Sequence, residues 1–226
     1  ALLCNDASLR HDDGAWTMSG DPTEGALLTL ALKAGLDARA EHAALPRVDA
    51  IPFESEHRFM ATLHHDHAGH ACVYLKGAPE QVLALCATTA DGALLERAQW
   101  EARIASAARA GQRVLALARC EFPAGTAALA MSDITPRFAL LGLAGMIDPP
   151  RPEAIEAIAD CHAAGIKVKM VTGDHGVTAA AIGAQLGLAH EHALCWRRLG
   201  LEKRADGPCF GRQVRKCGGA CDGGEP

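Results

Sequence analysis

The stretch Phe138-Ala139-Leu140-Leu141-Gly142-Leu143-Ala144-Gly145-Met146-Ile147-Asp148-Pro149-Pro150-Arg151 divides this chain into two styles of folding. From Phe138 to Met146 it is almost wholly apolar, as a strand is when both faces of its sheet are covered. The paired prolines then forbid regular structure and stiffen the backbone, which predicts a hinge between two domains at Asp148 to Arg151. Upstream, Val48 to Phe53, Met60 to His65, Ala71 to Leu75 and Arg113 to Arg119 read as strands. Helices over Pro79 to about Cys86 and Leu94 to Ala110 lie between them, an antiparallel arrangement with interleaved helices. Downstream, Pro152 to Ala164 reads as a helix, Lys167 to Val171 as a strand and Gly176 to Leu186 as a helix. Counted from Phe138, that strand-helix-strand-helix order predicts a parallel, doubly wound sheet.

Farther out, residues 1 to about 45 read as helical. Asp21-Pro22-Thr23-Glu24 supplies a cap, a proline for the first helical position and an acid three residues after the cap, and Gly35 offers a stop. Asp66-His67-Ala68-Gly69 is a hairpin turn by composition, and Asp91-Gly92 another turn. The fold class expected is therefore α/β in an α+β arrangement, an antiparallel-sheet domain with helices joined to a partial Rossmann-like segment.

The chain has 226 residues, 49% of them hydrophobic, enough for one large or two small cores. Its 22 Lys and Arg against 27 Asp and Glu give a net charge of −5, so no basic field points to a nucleic-acid partner. Aromatic residues are sparse and Tyr74 is the single tyrosine, which argues against stacking platforms for single strands. The longest nearly apolar run, Phe138 to Ile147, is far short of the roughly 20 residues a bilayer helix needs. The start, Ala1-Leu2-Leu3-Cys4-Asn5-Asp6, has neither an initiator Met nor a basic segment before an apolar one, and reads like the middle of a longer protein. Cys72, Cys86, Cys120 and Cys161 stand singly within apolar segments, as reduced buried thiols of a cytosolic protein do.

After Leu194 the periodicity disappears, and Cys195, Cys209, Cys217 and Cys221 fall among Gly and Arg. Their gaps of 13, 7 and 3 residues lack the two-residue knuckle of zinc ribbons, and little ordered structure is expected.

Several segments could carry chemistry. Val171-Thr172-Gly173-Asp174-His175 lies at a strand end before a helix, where ligands sit in open parallel sheets. It reads either as a phosphate-binding turn or as a plain connection with Asp174 capping the helix. Lys76-Gly77-Ala78-Pro79-Glu80 puts a lysine before a tight turn; it is either an anion contact, with Gly77 letting the ligand approach, or a solvated side chain. Phe53 and Arg58 pair an aromatic ring that could stack on a purine with a cation that could meet phosphate. Glu24 fits the capping-box position. His64, His65, His67 and His70 surround a turn and read as a solvated loop, because adjacent strand residues face opposite ways and cannot share a metal.

The order of these motifs is more specific than any one of them. Gly20-Asp21-Pro22-Thr23-Glu24-Gly25-Ala26-Leu27, Phe53-x-Ser55-Glu56-x-Arg58-Phe59-Met60, Lys76-Gly77-Ala78-Pro79-Glu80, Asp148-Pro149-Pro150-Arg151 and Thr172-Gly173-Asp174 together resemble the P-type ATPases, most closely the bacterial calcium, magnesium or related cation pumps of the type II group. The resemblance covers about residues 1 to 192. It implies a nucleotide-binding domain over 1–148, part of a haloacid-dehalogenase-like phosphorylation domain over 149–192, and an atypical tail over 193–226. It implies that Phe53 stacks on adenine, Glu24 contacts the base region, and Lys76 lines the pocket with Gly77 beside it. Arg58 and Arg119 would face the phosphates, and Asp148 and Arg151 would form the hinge and its nucleotide contacts. Thr172, Gly173 and Asp174 would stand near the transferred phosphoryl group. The ligands implied are ATP and the Mg2+ that accompanies it. The partners implied are the membrane and actuator domains of a parent pump in the plasma or inner membrane, with this part on its cytoplasmic side.

The chain departs from the family's pattern where chemistry would occur. It holds no Asp-Lys-Thr-Gly-Thr motif and no Gly-Asp-Gly-x-Asn-Asp motif, so ATP binding without coupled hydrolysis is expected and no metal ligands are assigned. Two alternatives stand beside this expectation, a truncated or frameshifted pump product without a role and a soluble haloacid-dehalogenase-like phosphohydrolase. The second would need Asp6 or Asp12 as nucleophile, and neither follows an apolar strand.

Overall fold

The structure, a computed structural model, describes residues 1–12, 14–172, 176–188 and 193–195, with the backbone alone at 172, 176 and 193–195. The chain opens with a hairpin of β1 (Ser8–Asp12) and β2 (Ala15–Ser19), followed by α1 (Pro22–Lys33) and α2 (Ala38–Ala44). Then come β3 (Arg47–Ile51), β4 (Phe59–His65), β5 (Ala71–Gly77), α3 (Pro79–Leu85), β6 (Cys86–Thr89), α4 (Arg97–Arg109), β7 (Arg113–Phe122) and β8 (Phe138–Met146). The last elements are α5 (Pro152–Ala163), β9 (Met170–Thr172), α6 (Gly176–Gln185) and β10 (Ala193–Cys195). No helix among the described residues is long and apolar enough to cross a membrane.

A six-stranded sheet in the order β3-β4-β5-β7-β8-β6 carries the fold. All its pairings are antiparallel except β6 with β8. The β4–β5 register follows from the turn between them. Asp66 Oδ1 accepts from the backbone N–H groups of Ala68 at 2.9 Å and His70 at 2.8 Å, an Asx turn that fixes which residues face each other. Alternation then sorts the side chains. Ala61, Leu63, Val73, Leu75, Ala116 and Ala118 point to one face, where Val82 and Leu83 of α3 and Phe138 and Leu140 of β8 close the main core. The opposite face carries Met60, Thr62, His64, Cys72, Tyr74 and Lys76, with Leu117 and Arg119 beside them across β7.

The first residues of the chain and α1 are tied to that second face. The Cys4 thiol donates to the Met60 carbonyl at 3.5 Å, and Arg47 donates to the carbonyls of Leu3 and Asn5 at 3.2 and 2.6 Å. Asn5 Nδ2 donates to the Glu24 carbonyl at 2.9 Å, locking the start of the chain to the first turn of α1. Cys4, Cys72 and Cys86 are buried, and Cys120 and Cys161 half-buried, all as free thiols.

Two expectations are corrected. Residues 1 to about 45 are not helical throughout, since β1 and β2 pair as an antiparallel hairpin. Nearly every residue of this hairpin is exposed, so it has no buried face whose period could be read, and its turn rests on Gly14 at φ 78°. Second, β8 does not open a parallel doubly wound sheet. It lies inside the main sheet, antiparallel to β7 and parallel to the edge strand β6, while the parallel pair downstream is β9 with β10. An apolar run reads alike in either pairing, so composition cannot choose its partner. Asp148 to Arg151 lies in the connection between β8 and α5.

Candidate functional site

α1 begins where the sequence places it. Asp21 Oδ1 accepts from Thr23 N at 2.8 Å and Glu24 N at 3.3 Å, and Pro22 occupies the first turn. Partial burial pushes the Asp21 carboxyl up, but the bonds from Thr23 and Glu24 and the nearby Arg113 guanidinium outweigh it and leave it below the usual carboxylate range. Glu24 does not complete the capping box. Its carboxylate turns to the sheet, where Oε1 accepts from Lys76 Nζ at 2.5 Å and Oε2 from Asp6 N at 3.0 Å. The side chains of Lys76 and Glu24 are only 7% and 17% exposed, so Lys76 is neither solvated nor free. Removing one member of such a pair leaves an uncompensated buried charge, a cost of about 3–5 kcal/mol.

Gly77, next in β5, has a role different from the expected one. A Cβ there would lie 2.5 Å from the Arg58 carbonyl oxygen and 2.6 Å from Phe59 Cα. The space that glycine leaves is filled by the protein's own backbone, not kept open for a ligand. Arg58 itself adopts a left-handed conformation, φ 57°, unusual for a side-chain-bearing residue. Its N–H donates to the Glu54 carbonyl at 2.7 Å and its carbonyl accepts from Ala78 N at 2.9 Å. Its guanidinium pairs with Glu80 at 2.5 Å. Lys76-Gly77-Ala78-Pro79-Glu80 and the turn before Phe59 are thus one interlocked unit.

Phe53 lies two residues past β3, whose last residue Ile51 faces Ala61 on β4. It is 59% exposed, a large ring left open at the same end of the sheet as Gly77 and Lys76. Arg119 shares the face of Lys76 but is engaged toward the other end. Its guanidinium stands 5.9 Å from the Tyr74 ring and pairs with Glu121 at 2.5 Å. The arginine of β7 that reaches the first turn of α1 is Arg113, whose Nη1 donates to Thr23 Oγ1 at 3.4 Å. The resemblance implies Arg119 instead, farther along the same strand. The two arginines are an even number of residues apart and share a face, so alternation could not separate them.

Asp148 and Arg151 are exposed in the connection after β8, and neither joins the Glu24–Lys76 pair. Arg151 lends its carbonyl to the first turn of α5, accepting from Ala154 N at 3.0 Å. Gly173 and Asp174 lie outside the described residues, and Thr172 ends β9 opposite Cys195. The tail cysteines after Cys195 also lie outside them. Among the histidines, His64 departs from the solvated reading. It is fully buried and bonded through both ring nitrogens, to the Leu45 carbonyl and the Thr62 hydroxyl, each at 2.9 Å. No group of three His, Cys, Asp or Glu among the described residues could hold a metal ion. The nucleophile sought in Asp6 is instead ion-paired with Arg47 at 2.6 Å.

What this end of the sheet offers is recognition. It has an exposed ring in Phe53, a carboxylate and ammonium locked together in Glu24 and Lys76, and further cations in Arg58 and Arg113. The family model described as P-type ATPase, cytoplasmic domain N, matches residues 1–153. A second, the UvrC/Cho excinuclease middle domain, matches residues 171–226, most of which lie outside the described residues. A cation-transporting ATPase of Synechocystis sp. is 46% identical over 194 residues, 84% of this chain and 21% of its own length. The probable cation-transporting ATPase F of Mycobacterium tuberculosis is 48% identical over 189 residues, 81% of this chain and 21% of its own. The calcium-transporting ATPase of Bacillus subtilis is 35% identical over 192 residues, 82% of this chain and 22% of its own. The chain thus spans about a fifth of the length of the curated relatives it matches.

Proposed function

This chain belongs to the P-type ATPases through their cytoplasmic domain N, and from that premise we propose that it binds ATP at the end of the sheet bearing Phe53, Glu24 and Lys76. The observation that carries the reading is Phe53, a large aromatic ring 59% exposed at the end of the sheet that also bears the Glu24–Lys76 pair. A core phenylalanine is buried; one held open at a strand end suits stacking on a planar base. Glu24 and Lys76, fixed to each other, present a carboxylate and an ammonium to the polar edge of that base. Arg113 and Arg58 stand at the same end as cations for the phosphates, and Arg119, turned toward Tyr74 and Glu121, is the weaker candidate. Mg2+ would arrive with the nucleotide, bound to its phosphates. Asp148 and Arg151 serve in this reading as the hinge toward residues 149–192, the part belonging to a phosphorylation domain. Thr172, Gly173 and Asp174 remain its phosphoryl-side residues. The parent activity is ATP-driven cation transport, with membrane and actuator domains as partners on the cytoplasmic side of the membrane.

The aligned share of the relatives, 81% to 84% of this chain, is more than residues 1–153 can supply, which supports extending the pump-like part to about 192. The separate match at the chain's end supports reading the tail from about 193 as foreign to pump sequence. Reading the nucleotide sequence around codons 190 to 200 tests this; one uninterrupted frame giving the same tail in independent clones argues against it.

ATP binding is tested by calorimetric titration with a nonhydrolysable analogue. Phe53→Ala should weaken binding about tenfold, the loss of roughly 1.4 kcal/mol of stacking. Because the ring is exposed, stability in urea should change by no more than about 0.5 kcal/mol. Equal affinity in the variant places the base elsewhere.

A further inference from the structure

β7 and β8 line a second cationic cleft, away from the end of the sheet that bears Lys76 and Gly77. Arg119, Cys120 and Glu121 of β7, Ala139 and Leu141 of β8, Arg137 just before β8 and Ala90 just after β6 line a cavity of about 360 Å3. That volume is at the small end of ligand sites. The cleft exists because β8 is irregular here. Leu117 faces Gly142 and Ala118 faces Leu140, so Leu141 is squeezed out of the ladder and stands 45% exposed at the rim.

Two guanidinium groups flank this cavity, and each lies over an aromatic ring. Arg119 is 5.9 Å from the centre of Tyr74, and Arg137 is 4.3 Å from the centre of Phe122. Stacking restrains the long side chains before any ligand arrives, which lowers the ordering cost of binding. The lining carries one carboxylate, Glu121, and it pairs with Arg119. Arg137 has no ion-pair partner among the described residues, so the cleft keeps an excess positive charge. Of the remaining lining, Ala90, Ala139 and Leu141 are apolar and Cys120 adds a thiol. Two planar forks over a small apolar floor match a compact oxyanion with a short hydrophobic body better than a metal or a neutral polar molecule.

We propose that the Arg119–Arg137 cleft is a binding site for a small oxyanion, a phosphate or a carboxylate, distinct from the Phe53–Glu24–Lys76 end of the sheet. Glu121 acts within it as a competing internal carboxylate that the ligand must displace from Arg119.

The test uses the full chain and follows the arginine Nε–H signals by NMR. It is titrated separately with inorganic phosphate and with benzoate, at ionic strength held constant with chloride. The expected result is saturation in at least one titration, with Arg119 and Arg137 moving together at one midpoint. The tighter of the two probes then identifies the ligand as phosphate-bearing or carboxylate-bearing. Arg137→Lys, which keeps charge but loses the fork, should raise the midpoint at least fivefold. Glu121→Gln should lower it, since the internal competitor is gone, and this variant leaves both arginines in place. Shifts that grow without saturating in both titrations, or a midpoint indifferent to Arg137→Lys and Glu121→Gln, would overturn the proposal and leave only diffuse surface charge.

Discussion

Gly77 shows how a single residue's place changes its meaning. In sequence it suits close approach of a ligand; in the structure its missing side chain admits the carbonyl of Arg58 and the backbone of Phe59. These are backbone atoms that cannot swing aside. Gly77→Ala should therefore lose about 2–4 kcal/mol of stability in urea denaturation, with or without nucleotide present. His64 makes a prediction in pH. Burial pushes its imidazole below the ordinary value, Arg47 and His42 add to the lowering, and the bond to the Leu45 carbonyl opposes it. The native state therefore keeps His64 neutral, while the unfolded chain takes up its proton near pH 6.5. Its contribution is complete above about pH 6.5 and is lost as pH falls through the depressed folded value. His70 runs the other way, raised by its hydrogen bond to Asp66, but that pair is on the surface and weakly coupled to stability. Urea midpoints measured from pH 7.5 down to 5 should fall, and His64→Gln should flatten that descent. None of this was legible from the cluster of histidines, because what buries His64 is the approach of the Leu45 carbonyl and the Thr62 hydroxyl, while His65 on the other face stays half-buried.

Whole elements were legible where a turn or cap fixed them. The helix at Pro22 and the β4–β5 hairpin were placed within a residue or two, because Asp21 and Asp66 each bond backbone N–H groups that would otherwise lack partners. The β1–β2 hairpin was missed because it buries almost nothing. The pairing of β8 was misjudged because both parallel and antiparallel neighbours present the same apolar surroundings. Burial also separates the elements energetically. Every residue from Phe59 to Leu63 of β4 is buried, whereas α5 has no buried residue at all. Stability rests where apolar contacts are dense, so opening should be local and easy in α5. Hydrogen exchange should be fast across Pro152–Ala163 and slowest in β4 and β5. Protection in α5 equal to that of the central strands would contradict this ordering. The thiol of Cys86, at the edge between α3 and β6, belongs with the protected set: burial pushes it up to about 12, so it stays protonated and unreactive in the folded chain.

At the scale of the molecule, the main sheet gathers charged side chains at two separate ends. At one end an open ring and the locked Glu24–Lys76 pair wait beside Arg113; at the other, Arg119 and Arg137 flank a shallow cleft. The motif order made the domain recognisable in the sequence, and the match to the cytoplasmic domain N of P-type ATPases carries that identification. The division of labour between the two ends was not legible, since it depends on which way Arg119 turns. An NMR titration of the full chain with a nonhydrolysable ATP analogue tests that division most directly. The largest shifts should fall on Phe53, Lys76, Gly77 and the start of β7 around Arg113. Shifts centred on Tyr74, Arg119, Glu121 and Arg137, with the Phe53 ring unmoved, would contradict it.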